Sequence, residues 1–254
     1  MMVLTKAVKS QAITPGLTAV ILVGGFGNRI RHITGVLPKP MVKVYGKPFL
    51  HWIFKNLKTR GVHNVYLLTH FEADQIENYA REEESGNFRI HCVKENTPSG
   101  TGGAVLDFLA KVRIPSNTFL LLNGDSLLME YSLKSALNSI VDGSEGVLFG
   151  VSMNDASRYG TLKFNGSGRL LAFKEKAPGA GVINTGTYLF TRQAFAQITN
   201  QVRPLSLELD VIPAMVECGV KIKVVVTSTP FIDIGTEASL ADAETFVRDN
   251  FASK

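Results

Sequence analysis

The sequence is poor in the residues that build disulfide frameworks and zinc clusters. Its 254 residues include only two cysteines, Cys92 and Cys218, which lie far apart and form no C-x-x-C pair. The five histidines show no spacing typical of metal ligands. These absences argue against a disulfide scaffold and a zinc site, and they favour a reducing, cytoplasmic location.

Long apolar runs and long runs of one charge are also missing. No stretch reaches the ~18 apolar residues that a membrane-spanning helix needs, and residues 1–16 lack the apolar region of a signal peptide. The 27 Lys and Arg outnumber the 22 Asp and Glu, but they are scattered rather than gathered in a basic arm. We therefore expect no membrane and no nucleic-acid partner, since the small positive excess suits small anionic substrates at least as well.

The first half of the chain alternates apolar, β-branched runs with helical patterns. This alternation predicts βαβ units and hence an α/β fold, a Rossmann-like mixed, mostly parallel sheet flanked by helices. The predicted strands are Leu17–Val23, Val65–Thr69, Ile90–Val93 and Thr118–Leu122, and the predicted helices are Pro48–Arg60, Glu72–Glu84 and Gly103–Val112.

After about Val151 the rhythm changes to short strands separated by glycine-rich turns. This pattern predicts a smaller antiparallel subregion beside the sheet, within one domain over residues 17–254 that follows an N-terminal extension, residues 1–16. The predicted strands here are Thr161–Phe164, Leu170–Phe173, Val182–Phe190 and Lys221–Thr227, and the predicted helices are Arg192–Thr199, Ser206–Glu217 and Thr236–Phe251.

A glycine-rich segment follows the first predicted strand, with the sequence Gly24-Gly25-Phe26-Gly27-Asn28-Arg29. Glycines allow positive φ and leave backbone N–H groups free to converge on phosphate oxygens, and an arginine adds a bidentate donor. A tight strand-to-loop turn is the alternative explanation. A dinucleotide-binding loop is disfavoured because Ile30 stands where its third glycine would be, and the Walker A pattern is absent.

This segment, followed by Pro38-Lys39-Pro40, resembles the signature of the sugar-phosphate nucleotidyltransferases. The resemblance implies that the loop holds nucleotide phosphates, with Arg29, Lys39 and Asp125 as catalytic residues. It departs from the family at Asn28, where threonine is usual. The implied nucleotide contacts in this region are Leu22, Gly24, Gly25, Gly27 and Asn28.

Later segments resemble the same family in the same order, from about Leu17 to Thr236. The implied base-recognition loop contributes Glu95, Gly100 and Thr101, and the implied Mg²⁺ ligands are Asp125 and Asp233. The implied sugar-phosphate contacts are Gly124, Glu175, Lys176 and Asn184, with Lys174 as the competing choice for Lys176. Each of these segments, taken alone, also fits a purely structural explanation: a helix N-terminus for the segment after Glu95, turns at Asp125 and Asn184, a solvated charge cluster at Glu175, and a helix cap at Asp233.

The implied reaction joins a nucleoside monophosphate to a sugar 1-phosphate. The attacking phosphate oxygen is already ionised, so cations that position and stabilise the phosphates suffice and no catalytic histidine is needed. The motifs L-P-K-P-M, S-G-T-G-G-A and F-I-D-I-G-T are most similar to the branch that transfers GMP from GTP to a heptose 1-phosphate. No hexapeptide-repeat segment follows, which disfavours the bifunctional branches.

Three alternatives remain open at this point. One is a uridylyl- or thymidylyltransferase acting on a hexose 1-phosphate, and another is a non-catalytic nucleotide-sugar sensor. The third, a glycosyltransferase of related fold, would need a D-x-D pair, whereas Asn123-Gly124-Asp125 offers a single carboxylate. The expected partners are a nucleoside triphosphate and a sugar 1-phosphate, and a homo-oligomer is compatible with the sequence.

Overall fold

The central feature of the computed structural model is a nine-stranded mixed sheet. The structure describes residues 16–27, 30–174, 178–198 and 202–251. The strands are β1 (Thr18–Leu22), β2 (Lys43–Val44), β3 (Lys47–Pro48), β4 (Asn64–Thr69), β5 (Arg89–Lys94), β6 (Thr118–Asn123), β7 (Ser126–Leu128), β8 (Gly146–Met153), β9 (Thr161–Phe164), β10 (Leu170–Lys174), β11 (Gly181–Thr191), β12 (Ile222–Thr227) and β13 (Phe231–Asp233). The helices are α1 (Arg31–Thr34), α2 (Phe49–Thr59), α3 (Ala73–Glu83), α4 (Gly100–Lys111), α5 (Leu133–Val141), α6 (Ile212–Glu217) and α7 (Glu237–Phe251).

The strand order across the main sheet is β12-β8-β11-β6-β1-β4-β5. Strands β5, β4, β1 and β6 are parallel, and β11 runs antiparallel between β6 and β8. The chain moves outward from β1 to β4 and β5, then returns to the other side of β1 as β6. The carboxyl ends of β1 and β6 therefore form a topological switch point, the place where open α/β sheets bind ligands.

Alternation along the strands divides the core between the two faces of the sheet. In β1, Ala19 and Ile21 pack with α2, α3, α5 and α7, whereas Val20 packs with α4 and α6 on the opposite face. The β6 strand follows the same alternation, with Leu120 and Leu122 on the first face and Leu121 on the second. Helices therefore cover both faces, which is why these strands read as continuous apolar runs.

The mixed, mostly parallel sheet predicted from the sequence is confirmed, as are the strands around β1, β4, β5 and β6. The antiparallel subregion is less separate than expected. Strands β9 and β10 extend the sheet beyond the first half of β11, where Ile183 pairs with Thr161, while the second half of β11 lies beside β6 in the central sheet.

Two helix predictions need correction. Of the helix expected over Arg192–Thr199, the described residues, which end at Ile198, form one 3₁₀ turn, Arg192–Phe195, and the Phe195 ring packs against Phe119 and Phe190. The helix expected over Ser206–Glu217 begins with a π-helical turn, Leu207–Val211, before α6. Pro213 has no N–H to donate to the carbonyl of Leu209, so a regular α-helical ladder is broken there.

Among the described residues, no helix is both long enough and apolar enough to cross a membrane.

Candidate active site

Two adjoining cavities open at the carboxyl ends of β1 and β6. The larger, which we call the loop cavity, has a volume of about 590 Å³ and is lined by Gly24–Gly27, Lys39, Glu95, Gly100, Thr101, Gly124 and Glu208 among others. The smaller, the carboxylate cavity, has a volume of about 390 Å³ and is lined by Arg158, Tyr159, Asn184 and Asp233 among others. Asn123 and Asp125 line both cavities, so the two meet at the end of β6.

The glycines of the loop after β1 allow two neighbouring segments to approach closely. A Cβ at Gly24 would lie 3.1 Å from the Cβ of His70, and one at Gly27 would lie 3.1 Å from the Cγ of Lys39. Gly27 also has a φ of +64°, which favours glycine. Leu22, Gly24, Gly25 and Gly27, for which the family resemblance implies nucleotide contacts, all line the loop cavity, whereas Asn28 and Arg29 lie outside the described residues.

Lys39 begins a 3₁₀ turn between Pro38 and Pro40 and is almost completely buried. Its Nζ lies 2.9 Å from Oδ2 of Asp125. A buried ammonium needs such a partner, because burying an unpaired charge costs several kcal/mol. The pair fixes a cation and a carboxylate at the boundary between the two cavities.

Gly124 brings the end of β6 against the end of β1. Its N–H donates to the carbonyl of Leu22 at 2.9 Å, and a Cβ at this position would lie 2.7 Å from the same oxygen. Only glycine permits this approach, which sets the position of Asp125 next in the chain. Gly124 lines the loop cavity rather than the carboxylate cavity, although the family resemblance implied that it contacts the sugar phosphate.

Asp125 and Asp233 lie side by side, although they are far apart in the sequence. Strands β7 and β13 pair antiparallel with Ser126 opposite Asp233, and the N–H of Ile234 donates to the carbonyl of Asp125 at 2.9 Å. Both carboxylates line the carboxylate cavity. This pairing juxtaposes the residues that the sequence named as metal ligands.

The Asp233 carboxylate is held by three neighbours. Oδ1 accepts the N–H of Gly235 at 2.7 Å, and Oδ2 accepts the hydroxyl of Tyr159 and lies 3.8 Å from the Arg158 guanidinium. Burial, together with the hydrogen bond to Asp233, raises the pKa of Tyr159 above its usual range. The cap of α7 is supplied by Thr236, whose hydroxyl accepts the N–H of Ser239, so Asp233 does not act as the helix cap.

The segment from Glu95, just after β5, to Thr101, in the first turn of α4, contributes Glu95, Gly100 and Thr101 to the loop cavity. Oε1 of Glu95 accepts from Ser99 twice, from its hydroxyl at 2.5 Å and from its N–H at 3.4 Å. Gly100 has a φ of +79°, and a Cβ there would overlap the carbonyl of Leu205. The hydroxyl of Thr101 accepts the N–H of Leu207 at 2.8 Å, so this contact ties the segment to the π-helical turn that carries Glu208.

Asn184 belongs to a chain of polar side chains that reaches from one cavity to the other. Its Nδ2 donates to the hydroxyl of Tyr188 at 2.6 Å, and that hydroxyl donates to Oε1 of Glu208 at 3.0 Å. Nδ2 of Asn123 also donates to Oε1 of Glu208, at 3.4 Å. Burial, followed by the charge of Glu208, raises the pKa of Tyr188 well above its usual range.

Sequence reasoning did not identify Glu208, Tyr188, Asn123, Tyr159 or Arg158 as part of this site. Glu208 lies where the pattern predicts an ordinary helix start, and Tyr188 lies in a predicted apolar strand. Neither local pattern therefore indicated a functional residue. Conversely, Glu175 and Lys176, predicted to contact the sugar phosphate, lie outside the described residues.

Comparison with known proteins gives consistent matches. A sequence profile of the family described as Nucleotidyl transferase matches residues 18–250. The D-glycero-alpha-D-manno-heptose 1-phosphate guanylyltransferases of Campylobacter jejuni and Aneurinibacillus thermoaerophilus are each 36% identical over 180 residues. These matches cover 70% of this chain and, respectively, 78% and 76% of the two enzymes.

Solved structures agree with the sequence matches. HddC from Yersinia pseudotuberculosis, crystallised in complex with GMP-PN, superposes with a TM-score of 0.79 at 32% identity, covering 91% of this chain and 99% of that chain. A putative glucose-1-phosphate thymidylyltransferase from Bacillus anthracis superposes with a TM-score of 0.77 over 92% of this chain and 96% of that chain, but at 19% identity it shows the fold alone.

Proposed function

The chain belongs to the nucleotidyl transferase family, and from its similarity to two heptose 1-phosphate guanylyltransferases we propose that it transfers GMP from GTP to a heptose 1-phosphate, giving GDP-heptose and pyrophosphate. The observation that carries this proposal is the meeting of two cavities at the Lys39–Asp125 pair. One cavity takes the nucleotide and the other the sugar phosphate, so that the two reacting phosphates meet at this boundary.

We assign the loop cavity to GTP. The N–H groups of the glycine loop face its phosphates, and Arg29 neutralises the departing pyrophosphate. Lys39, buried at the junction, stabilises the charge that develops on the α-phosphoryl group. Glu95, Gly100 and Thr101 lie at the guanine end, where an oxygen of Glu95 accepts the base N–H donors.

We assign the carboxylate cavity to the sugar 1-phosphate. Asn184 faces the sugar hydroxyls, and Lys176 anchors the sugar phosphate with Glu175 on the hydroxyls. Arg158, which lines this cavity and is about half exposed, supplies a further positive charge close to the site of the incoming phosphate.

The donor set fits Mg²⁺. Asp125 and Asp233 present hard oxygen ligands to one cavity, and Mg²⁺ prefers one or two carboxylates plus substrate phosphates. Among the described residues of the loop cavity, the carboxylates of Glu95, Asp125 and Glu208 outnumber the single ammonium of Lys39. A triphosphate therefore needs an added cation there. When bound, the metal neutralises phosphate charge and orients the phosphates.

The chemistry follows from these positions. An oxygen of the sugar phosphate forms a bond to the α-phosphorus of GTP, and the bond from that phosphorus to the β-phosphate oxygen breaks with its electron pair leaving on pyrophosphate. The nucleophile is already an anion, so no side chain needs to remove a proton. Positioning and cationic stabilisation are the catalytic contribution of the protein.

A uridylyl or thymidylyl transfer is the second candidate. It is favoured by one observation, that Ser99 occupies Oε1 of Glu95. Oε2 alone matches the single N3–H of uracil or thymine one to one, whereas the two donors of guanine must share that one oxygen.

Initial rates of pyrophosphate release decide between the candidates. GTP, ATP, CTP, UTP and dTTP are each paired with heptose, mannose and glucose 1-phosphates in the presence of Mg²⁺. The proposal requires the highest kcat/KM with GTP and a heptose 1-phosphate. Preference for UTP or dTTP contradicts guanylyl transfer, and preference for a hexose 1-phosphate contradicts the acceptor.

A further inference from the structure

Ser99 stands at the N-cap of α4 but does not cap it. Serine is favoured at this position because its oxygen usually accepts an N–H of the first helical turn, yet the Ser99 side chain makes no such bond. Its buried hydroxyl instead donates to Oε1 of Glu95 at 2.5 Å. Helix α4 therefore lacks this stabilising side-chain cap, and the Glu95 carboxylate, which lines the loop cavity, is held by the Ser99 hydroxyl.

This contact makes the two oxygens of Glu95 unequal. Each carboxylate oxygen has two lone pairs, and those of Oε1 are taken by the hydroxyl and the N–H of Ser99. Within the described part of the chain, Oε2 accepts no hydrogen bond from protein, and it lies close to Gly24 at the wall of the loop cavity. A base entering that cavity meets Oε2 as the available acceptor.

We propose that Ser99 is a positioning residue for nucleobase selection, which holds Oε1 of Glu95 so that Oε2 alone is presented to the base. This inference rests on the proposed nucleotide-transfer function and on the assignment of the loop cavity to the nucleotide. With guanine, the two lone pairs of Oε2 are shared between N1–H and N2–H. The selectivity of the pocket therefore depends on a residue that does not itself touch the nucleotide.

The first measurement is the steady-state behaviour of Ser99→Ala with GTP. Loss of the hydroxyl leaves Oε1 with only the long N–H contact, so the carboxylate is free to rotate and the KM for GTP rises about ten-fold, the effect of one hydrogen bond to a charged group. The kcat and the KM for the sugar phosphate stay within about two-fold, because the reacting phosphates are untouched. An unchanged or lower KM for GTP overturns the proposal.

The second measurement is a double-mutant cycle with Glu95→Gln. In that variant, Ser99 holds the amide oxygen and turns the amide NH₂ toward guanine N1–H. Adding Ser99→Ala releases the amide to turn its oxygen to the base, so the KM for GTP does not rise further. An equal-fold rise in both backgrounds shows that Ser99 acts independently of Glu95 and overturns the inference.

Ser132→Ala is the matched control, because Ser132 is the N-cap of α5 and its hydroxyl accepts the N–H of Ser135. It lowers Tm by about 2–4 °C through the lost cap, without changing the KM for any nucleotide. The same cycle separates the two levels of proposal. If wild-type enzyme prefers UTP or dTTP, guanylyl transfer fails, whereas the inference about Ser99 is still judged by the cycle with the preferred nucleotide.

Discussion

The Nζ of Lys39 lies 2.9 Å from Oδ2 of Asp125, at the boundary where the loop cavity and the carboxylate cavity meet. The lysine is almost completely buried, whereas about a third of the aspartate side chain is exposed. The pair thus joins a cation fixed by two prolines to a carboxylate fixed by a glycine.

Replacing Lys39 by methionine keeps an unbranched side chain one atom shorter and removes the charge. We expect turnover to fall about 10²–10³-fold, the cost of losing one preorganised electrostatic contact to the transition state. Stability falls by only about 1–2 kcal/mol, because water can solvate the partly exposed Asp125. Pyrophosphate release and thermal unfolding measure the two effects.

Lys58→Met is the matched control, since Lys58 pairs with Glu83 away from both cavities. Its turnover stays at the wild-type level. Near wild-type turnover in folded Lys39→Met would remove this lysine from the mechanism.

Replacing Gly124 by alanine places a methyl group 2.7 Å from the backbone oxygen of Leu22. Backbone cannot give way as a flexible side chain can, so the ends of β1 and β6 separate and Asp125 shifts. We expect a loss of about 1–3 kcal/mol in the free energy of unfolding and at least about a ten-fold loss of turnover, since a small misplacement at a reacting centre is costly.

Gly166→Ala provides the comparison, because open space surrounds that position. Its free energy of unfolding stays within about 0.5 kcal/mol of wild type. Unaltered stability and turnover in Gly124→Ala would contradict the tight approach described above.

Asp233→Asn removes a negative charge from the proposed metal site while preserving shape and the acceptor for the Gly235 N–H. We expect the Mg²⁺ concentration for half-maximal rate to rise about ten-fold or more, since a neutral amide is a weaker ligand for a hard cation. Direct Mn²⁺ binding, followed by electron paramagnetic resonance, should weaken in parallel. Asp249→Asn, at an exposed site on α7, changes neither quantity; equal metal affinity in both variants counts against the assignment of Asp233.

Glu95→Gln tests the guanine contact directly. Ser99 keeps the amide oxygen, so the amide NH₂ replaces Oε2 and faces the N1–H of guanine, donor against donor. The mismatch costs roughly 1–3 kcal/mol, or about a ten- to hundred-fold loss of kcat/KM with GTP. The kcat/KM values with UTP and dTTP are measured in the same variant. An equal loss of kcat/KM for all three nucleotides would mean that Glu95 does not distinguish the bases.

Much of the architecture follows from local patterns. The apolar runs of β1 and β6 predict buried parallel strands because helices must cover both faces, and a parallel sheet places their carboxyl ends together. The glycine loop, Pro38-Lys39-Pro40 and Asn123-Gly124-Asp125 follow those strand ends, so the sequence indicates the place of the site as well as several of its residues.

Strand β8 shows where local patterns fail. It contains Gly146 and Gly150, which lower strand propensity, and the sequence did not predict it. In the fold, a Cβ at Gly146 would lie 2.6 Å from the ring of Phe190, and one at Gly150 would lie 2.6 Å from Val182. These glycines make room for side chains of the neighbouring strand β11, a requirement that arises only once the strands are paired.

The sequence by itself determined where along the chain the candidate site residues lie, because they follow strand ends and short turns that local patterns predict. Tertiary structure alone decided which of them meet. Asp125 and Asp233 lie together because β7 pairs with β13, Glu208 enters the loop cavity because the π-helical turn packs on α4, and Oε1 of Glu95 is held because the Ser99 hydroxyl donates to it. Such contacts join segments distant in sequence or depend on the direction of one hydroxyl, and neither property leaves a periodic trace in the chain.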